Sequence, residues 1–341
     1  MDASLPPAAH PAPPATVLVL GANGRLGRAA VLAFAAAGWR VRAQLRRPPR
    51  TPLPDGVDTV IADALDLPRL RPAAAGAQVI VHALNPDYTR WERRLPPLTA
   101  AVIELAVGSG ATLMLPGNVY NFGRQLPPRL DEATPFAGNH AKARQRIALE
   151  AALAEAATTR GLRSIVLRAG DFLGDHGTWI DLAMARGLER GRFTQMGPTD
   201  VEHAWAYLPD LAQAFVAVAG RRAALPPHAV LHFAGHTLTG AQLQSAFEAA
   251  LGRPLRATAF PWWLLRLAAP LAAMPRALLE MRHLWQRPHR LDGSRLAALI
   301  GEPPHTPLER VARQCLAALS PQPAAPGPAS PPARAPAESA R

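Results

Sequence analysis

Short apolar runs alternate with longer stretches of helical periodicity along most of this chain. Short apolar runs bounded by turn residues are typical of buried strands, and the longer stretches are typical of crossover helices. The predicted strands are Val17–Leu20, Val41–Leu45, Thr59–Ala62, Val79–His82, Thr112–Leu115, Ile165–Leu167 and Val230–Phe233. The predicted helices include Leu26–Ala37, Leu95–Gly108, Ala141–Thr159, Trp179–Gly187 and Asp210–Gly220. Because strands that alternate with helices pair in parallel, the pattern predicts an α/β fold with a doubly wound parallel sheet.

The pattern changes after about residue 235. A further helix is predicted over Ala241–Leu251, and an aromatic and leucine-rich helical pattern continues through Trp285. We therefore expect a sheet domain over residues 16–235, with parts of 172–205 contributing to a smaller, mainly helical lobe over 236–319. Residues 1–15 and 320–341 are rich in Pro and Ala and are predicted to be disordered tails.

A glycine-rich turn, GANGRLG over residues 21–27, separates the first predicted strand from the first predicted helix. Such a turn lets the backbone approach a pyrophosphate, and the helix start offers unpaired N–H groups to the anion. A tight turn that binds nothing is the alternative, but its place between a strand and a helix favours a dinucleotide site. The predicted cofactor contacts in the turn are Gly21, Asn23, Gly24, Arg25, Leu26 and Gly27.

The G-x-x-G-x-x-G spacing resembles that of the extended and atypical short-chain dehydrogenase/reductases, which include nucleotide-sugar epimerases and isoflavone-reductase-like enzymes. The resemblance covers roughly residues 16 to 320 and implies a Rossmann-type NAD(P) domain beneath a C-terminal substrate lobe. In these families the residue at Asp63 bonds the adenine amino group, and the stretch at His82 lies beside the ribose and pyrophosphate. The resemblance thus adds these cofactor contacts: Asp63, Ala64, His82, Ala83, Leu84 and, near the nicotinamide, Arg168.

The end of the second predicted strand bears on cofactor choice. NAD selectivity usually needs a carboxylate there, and none is present. Arg46 and Arg47 stand where a 2′-phosphate would arrive, and guanidinium groups match phosphate geometry. NADP(H) is therefore favoured, with NAD(H) kept open. The alternative is that these arginines belong to an exposed loop of an arginine-rich protein.

The catalytic Ser, Tyr and Lys set of the resembling enzymes is absent, because other residues stand at all three positions. Pro116 occupies the serine position, which leaves Asn118 as the nearby polar side chain that could orient a carbonyl. If the motif Y-x-x-x-K-x-x-x-E is anchored on Glu150, Lys142 takes the tyrosine position and Arg146 the lysine position. The resulting K-x-x-x-R-x-x-x-E run is similar to that of isoflavone reductases, in which a lysine is the proposed acid/base.

Lys142 is the sole lysine among 37 basic residues, so it is the candidate proton donor or ribose anchor. Lysine can lose its proton when its pKa falls, whereas arginine stays charged. Burial and the charge of Arg146 are expected to lower the pKa of Lys142. The alternative is a solvated Lys142 beside an Arg146–Glu150 pair, and His140 is a second acid/base candidate.

Aromatic side chains are the candidates for an apolar substrate pocket. The Trp262 and Trp263 pair has two other interpretations, which are packing in the core of the lobe and an amphipathic helix at a membrane interface. The predicted pocket residues are Tyr120, Phe172, Trp205, Tyr207, Trp262 and Trp263.

Composition narrows the choice of partner. The net charge of +12 comes from arginines spread along the chain, which favours a compositional bias over nucleic-acid binding. A lone cysteine, no signal-peptide pattern and no apolar run of membrane-spanning length predict a cytoplasmic protein without a transmembrane segment. We expect no metal site, because no ligand spacing is present. Two long helices between strands are candidates for pairing in a homodimer.

The leading hypothesis is an NADP(H)-dependent reductase that transfers hydride to a small, largely apolar carbonyl or activated-alkene substrate. The alternatives are an enzyme like the nucleotide-sugar epimerases and dehydratases, and a non-catalytic NAD(P)-binding regulator.

Overall fold

A seven-stranded parallel sheet lies at the centre of the structure, a computed structural model that describes residues 14–49, 51–174 and 176–319. The strands of the described residues are β1 (Thr16–Leu20), β2 (Arg40–Leu45), β3 (Asp58–Ile61), β4 (Val79–His82), β5 (Thr112–Gly117), β6 (Arg129–Leu130), β7 (Ser164–Arg168), β8 (Asp171–Leu173), β9 (Arg192–Gln195), β10 (Glu202–Tyr207), β11 (His228–His232), β12 (His236–Thr239), β13 (Arg256–Ala259) and β14 (Arg290–Leu291). The central order is β11-β7-β5-β4-β1-β2-β3. The strand order reverses between β1 and β4, which is where doubly wound sheets bind ligands.

Helices cover both faces of this sheet. The helices of the described residues are α1 (Arg25–Ala36), α2 (Leu67–Ala74), α3 (Trp91–Ser109), α4 (Ala141–Thr159), α5 (Leu208–Arg221), α6 (Gly240–Leu251), α7 (Trp262–Ala268), α8 (Ala273–Glu280), α9 (Ser294–Ile300) and α10 (Leu308–Leu319). Because side chains alternate along a strand, Leu18 and Leu20 of β1 join the core beneath α2, α3 and α4. Val17 and Val19 join the opposite core, beneath α1, α5 and α9.

A third core builds the lobe beside the central sheet. It combines buried residues from 173–207 with others from 238–315, including Phe193 and Phe247. Two small sheets join strands of the first segment to strands of the second, with strand orders β12-β10-β8 and β13-β9. Residues between 173 and 205 belong to this core, whereas Leu296 of α9 returns to the core under α5. The division at residue 235 and the assignment of parts of 172–205 to a substrate lobe stay predictions.

All seven predicted strands occur, and the predicted fold class is confirmed. The predicted helix Trp179–Gly187 is wrong in extent, because the segment forms one π-helical turn over Ile180–Met184. Asp181 accepts hydrogen bonds from the backbone N–H groups of Gly177 and Thr178, which fixes a tight start. The tails predicted over 1–15 and 320–341 lie outside the described residues, apart from positions 14 and 15.

Candidate active site

The glycine turn has the geometry of an anion cradle. Gly21 adopts φ +81°, and a Cβ on Gly27 would lie 2.1 Å from the carbonyl oxygen of Gly21. A Cβ on Gly24 would lie 3.1 Å from that oxygen. Gly24 precedes α1 and supplies no side-chain cap, so the N–H groups of the first turn remain available to an anion. Leu26 is buried behind the turn, in the core of the sheet domain.

The loop after β2 is held to this turn. The Asn23 side-chain amide donates to the carbonyl oxygen of Arg47 at 3.1 Å, and the Gln44 side chain accepts from the N–H of Gly21 at 2.8 Å. The side chains of Arg46 and Arg47 are exposed, and neither has a partner within the described part of the chain. Two unpaired guanidinium groups therefore stand at the end of β2, where the sequence predicts the 2′-phosphate of NADP(H).

Arg25 connects the glycine turn to the lobe. Its guanidinium donates to the carbonyl oxygen of Gly177 and lies 5.7 Å from the centre of the Phe172 ring. The structure thus brings a predicted cofactor residue against a predicted pocket residue.

The ends of β3 and β4 carry the other predicted contacts to the adenosine half. Asp63 is exposed, and its carboxylate accepts from the N–H of Leu65 at 2.9 Å, next to the buried Ala64. The carbonyl oxygen of Ala83 lies 3.0 Å from where a Cβ on Gly21 would be, so the segment after β4 lines the glycine turn.

His82 is a buried, neutral hydrogen-bond donor. Its Nδ1 accepts from the N–H of Leu84 at 3.3 Å, so the proton lies on Nε2. Burial, and next the charge of Arg146, lower the pKa of His82 to about 3. Nε2 is buried without a partner in the described residues, and so is Nε of Arg146. Unpaired buried donors are costly, so these atoms fit a site that a polar ligand completes.

Lys142 is buried in an aromatic cage. Its Nζ donates to the carbonyl oxygen of Tyr88 at 3.1 Å and lies 4.5 Å from the centre of the Tyr88 ring and 5.3 Å from that of Trp91. The residue is only 4% exposed, so the solvated alternative is wrong. The hydroxyl of Tyr88 is hydrogen-bonded to that of Tyr120, and burial raises the pKa of both tyrosines.

Glu280 of α8 is the charged partner of this cage. Burial lowers the pKa of Lys142, and the Glu280 carboxylate opposes that shift. The expected contribution of burial is therefore confirmed, whereas Arg146 is not among the causes of the lowering. The same carboxylate accepts from the N–H of Lys142 at 3.1 Å and lies 3.2 Å from Nδ1 of His140. Burial alone would raise the pKa of Glu280, but these bonds and the Lys142 charge hold it at about 2.

Arg146 takes the position that the motif gives to a lysine. Its Nη2 donates to the carbonyl oxygen of Pro116 at 2.5 Å, at the end of β5. The alternative of an Arg146–Glu150 pair is wrong, because Glu150 pairs with the buried Arg168 at 2.5 Å. Arg168 also lies 3.2 Å from Nε2 of His232. Its guanidinium is thus engaged inside the protein, and its cofactor role stays a prediction.

Asn118 keeps one polar group free. Its Oδ1 accepts from the N–H of Tyr120 at 3.0 Å, which leaves the side-chain NH2 without a partner in the described chain. That group can donate to a substrate oxygen.

Sequence reasoning missed a His–Asp pair beside the two tyrosines. Nε2 of His203 lies 3.0 Å from Oδ2 of Asp171, and Nδ1 lies 3.2 Å from the carbonyl oxygen of Leu284. Both ring nitrogens of His203 are thus engaged by oxygen atoms, which fixes the orientation of the imidazole. The Asp171 charge contributes to the raised pKa of Tyr120. The pair depends on β8 and β10 meeting in register, which neither motif nor spacing signals.

The remaining pocket candidates lie in the lobe. Trp205 and Tyr207 are buried in the core of the lobe, and the Tyr207 hydroxyl donates to the Gln314 side chain. Trp262 is also buried and donates to the carbonyl oxygen of Met196 at 2.7 Å, which agrees with the packing alternative. Trp263 is 61% exposed. A role in substrate binding stays a prediction for all four.

Metal-binding groups and membrane-spanning helices are both absent from the described residues. Within the described ranges, no group of three or more His, Cys, Asp or Glu side chains could hold a metal ion. Over the same residues, no helix combines the length and the apolar content needed to cross a bilayer.

Solved structures similar to this chain include several epimerases. UDP-glucose 4-epimerase from Brucella ovis, solved in complex with NAD, shares 15% identity at a TM-score of 0.70, over 89% of this chain and 98% of that chain. The Bordetella bronchiseptica enzyme WbmH, solved in complex with NAD+, shares 16% identity at a TM-score of 0.69, over 89% of this chain and 97% of that chain. UDP-N-acetylglucosamine 4-epimerase from Bacillus cereus shares 12% identity at a TM-score of 0.70, over 89% of this chain and 99% of that chain. At such identities the likeness shows the fold.

Sequence comparison gives the family. No curated protein matches the chain, but residues 17–233 match the model described as the NAD dependent epimerase/dehydratase family. The match covers the glycine turn, the Lys142 helix and all strands of the central sheet except the first residue of β1. The resemblance noted in the sequence is thereby confirmed, and this chain belongs to the NAD dependent epimerase/dehydratase family.

Proposed function

We propose that this protein is an NADP(H)-dependent reductase within its family, acting on a small, largely apolar carbonyl or activated alkene. The observation that supports the proposal is that other residues replace the Ser, Tyr and Lys set of the family motif. Pro116 has no hydroxyl where the family motif has serine, and Lys142, buried and with a lowered pKa, stands at the tyrosine position. An enzyme that keeps a cradle for the dinucleotide but changes its proton-transfer group is expected to carry out related hydride chemistry on another substrate.

The preference for NADP(H) depends on the two unpaired guanidinium groups at the end of β2. Arg46 and Arg47 can form charge-assisted bonds to a 2′-phosphate, and no carboxylate stands there to accept a ribose 2′-hydroxyl. The two similar structures described above with a cofactor contain NAD, so a preference for NADP(H) would distinguish this chain from them.

The proton-transfer role falls to Lys142. A bound nicotinamide would supply the hydride, and the substrate oxygen or carbon would then need a proton. A lowered pKa makes the Lys142 ammonium a better proton donor. The raised pKa values of Tyr88 and Tyr120 keep both hydroxyls protonated at neutral pH, so they serve as hydrogen-bond donors rather than as bases. Arg146 remains charged, and its unpaired Nε suits it to hold the ribose.

A nucleotide-sugar epimerase is the second candidate, favoured by the family and by the activities named for the structural relatives. In the resembling enzymes the tyrosine of a Ser, Tyr and Lys set passes the proton while the cofactor carries the hydride. This chain has Pro116 and Lys142 instead. A non-catalytic regulator would keep the glycine turn but need no lowered pKa at Lys142.

One pair of assays separates the three candidates. NADPH oxidation is followed against a panel of aldehydes, ketones and enones, and UDP-sugar interconversion is followed with NAD. We expect turnover in the first assay and none in the second. Interconversion of a UDP-sugar would support the epimerase, and tight NADPH binding without turnover in either assay would support the regulator.

A further inference from the structure

The hairpin formed by α7 and α8 carries the densest exposed apolar surface of the described chain. Among the described residues ten large apolar side chains are exposed, and five of them lie between residues 263 and 274. Leu271, at the turn between the two helices, is 92% exposed. The others are Trp263 at 61%, Leu264 at 47%, Leu267 at 68% and Met274 at 44%. Together these five residues form the hairpin tip.

The hairpin tip is not the face that the protein uses for its own packing. Trp262 and Leu265, three positions apart on α7, face the core of the lobe. Ala277 is buried on α8, and Glu280 at its end bonds to the start of α4. The base of the hairpin is therefore anchored, and a second apolar face of α7 remains without a partner in the described residues.

The sequence around the hairpin tip is rich in basic residues and nearly free of acidic ones. Residues 249–291 contain seven arginines and one carboxylate, Glu280. Arg266 and Arg276 lie within or beside the tip, are exposed, and form no ion pair with any described residue. A protruding apolar apex with tryptophan and flanking arginines suits a bilayer, in which apolar groups enter the interface and cations meet anionic headgroups.

We propose that the hairpin tip docks this protein onto an anionic phospholipid surface. Trp263, Leu267 and Leu271 would insert at the level of the headgroups, and Arg266 and Arg276 would pair with lipid phosphates. The hairpin tip shares no residue with the glycine turn or with the Lys142 cage, so the proposal stands whether or not the chain is a reductase. It takes up the amphipathic alternative that the Trp262–Trp263 sequence left open.

Vesicle flotation tests the proposal with the full-length protein. Vesicles of phosphatidylcholine alone are compared with vesicles that also contain phosphatidylglycerol, at low and at high salt. We expect at least about tenfold stronger binding to the anionic vesicles, weakened by salt, because each arginine near an anionic surface contributes about fivefold. Absence of binding at low salt would overturn the proposal.

Matched variants locate the contact. The triple substitution Trp263→Ser/Leu267→Ser/Leu271→Ser should reduce binding by at least about tenfold, because its residues would supply the inserted apolar area. Leu32→Ser, which removes an exposed leucine from α1, should leave binding unchanged. Arg266→Gln/Arg276→Gln should abolish the anionic preference, and Arg221→Gln/Arg313→Gln, which removes the same charge elsewhere, should retain more of it.

Two controls keep the outcome decisive. Thermal unfolding and NADPH binding should be the same in the wild type and in the triple variant, because exposed side chains contribute little to stability. Sedimentation measures the oligomeric state of both proteins. If the triple variant changed a dimer into a monomer and bound vesicles like the wild type, the hairpin tip would be a contact between copies, and the proposal would be wrong.

Discussion

Substitution of Gly27 by alanine tests the glycine turn most sharply. The added Cβ would lie 2.1 Å from the carbonyl oxygen of Gly21, well inside the roughly 3.4 Å of ordinary contact. The obstacle is backbone, which cannot rotate away as a side chain can. Either α1 or the turn at Gly21 must therefore move by more than about 1 Å, which displaces the N–H groups that face the anion.

The expected cost follows from this overlap. Overpacking of this kind costs about 1–3 kcal/mol in stability. A comparable loss in the pyrophosphate contacts, about 2 kcal/mol, corresponds to about a 30-fold increase in the Kd for NADPH. Titration calorimetry measures the Kd, and thermal unfolding measures the stability.

Gly220→Ala is the matched control for this prediction. Gly220 lies in the last turn of α5, and a Cβ there would meet nothing within 4 Å. Alanine favours a helix over glycine, so the variant should bind NADPH like the wild type and unfold at an equal or slightly higher temperature. If Gly27→Ala bound NADPH with the affinity of the wild type, the glycine turn would not be the cofactor cradle.

Four further predictions concern single features of the site and the core. Lys142→Arg should abolish NADPH-dependent turnover and leave NADPH binding within about threefold, because arginine keeps the charge but cannot give up its proton; full activity would contradict the proton-transfer role. Arg46→Ser/Arg47→Ser should weaken NADPH binding at least about tenfold in calorimetry and leave NADH binding unchanged; equal losses for both would refute the 2′-phosphate assignment. Glu150→Ala should lower the free energy of unfolding by about 3–5 kcal/mol in denaturant melts, since it strands a buried guanidinium, and a change below about 1 kcal/mol would count against a buried pair. Burial lowers the pKa of His289 from 6.5 to about 3, so this group stabilises the fold fully above pH 6.5 and loses that contribution as the pH falls toward 3. The free energy of unfolding measured across this pH range should therefore decline less steeply toward acid in His289→Gln than in the wild type. Identical pH profiles would contradict this prediction.

The parts of the fold that depend on local sequence were predictable. The strand, turn and helix at residues 16–36 follow from an apolar run, a glycine triplet and helical periodicity that lie next to one another in the chain. The helix α2 was missed because Pro72 lies within it, and proline normally argues against a helix interior. The short strands β6 and β14 pair across about 160 residues, and two residues cannot carry a periodic signal.

The residues of the candidate site were likewise predictable where their signal is local in the sequence, but their long-range partners were not. Lys142 was identified because its helix carries a spacing motif and because it is the sole lysine. Its partner Glu280 lies 138 residues away and comes from the lobe, so only the folded chain reveals the contact. The Asp171–His203 pair likewise joins residues of two strands whose register is fixed by tertiary packing.

Cofactor titration addresses the central claim, which is that a phosphate-bearing dinucleotide lies on the turn between β1 and α1. Calorimetry of the purified protein with NADPH and with NADH should show saturable binding of both at one site, tighter for NADPH by at least about tenfold. An absence of saturable binding with both nucleotides would contradict the account.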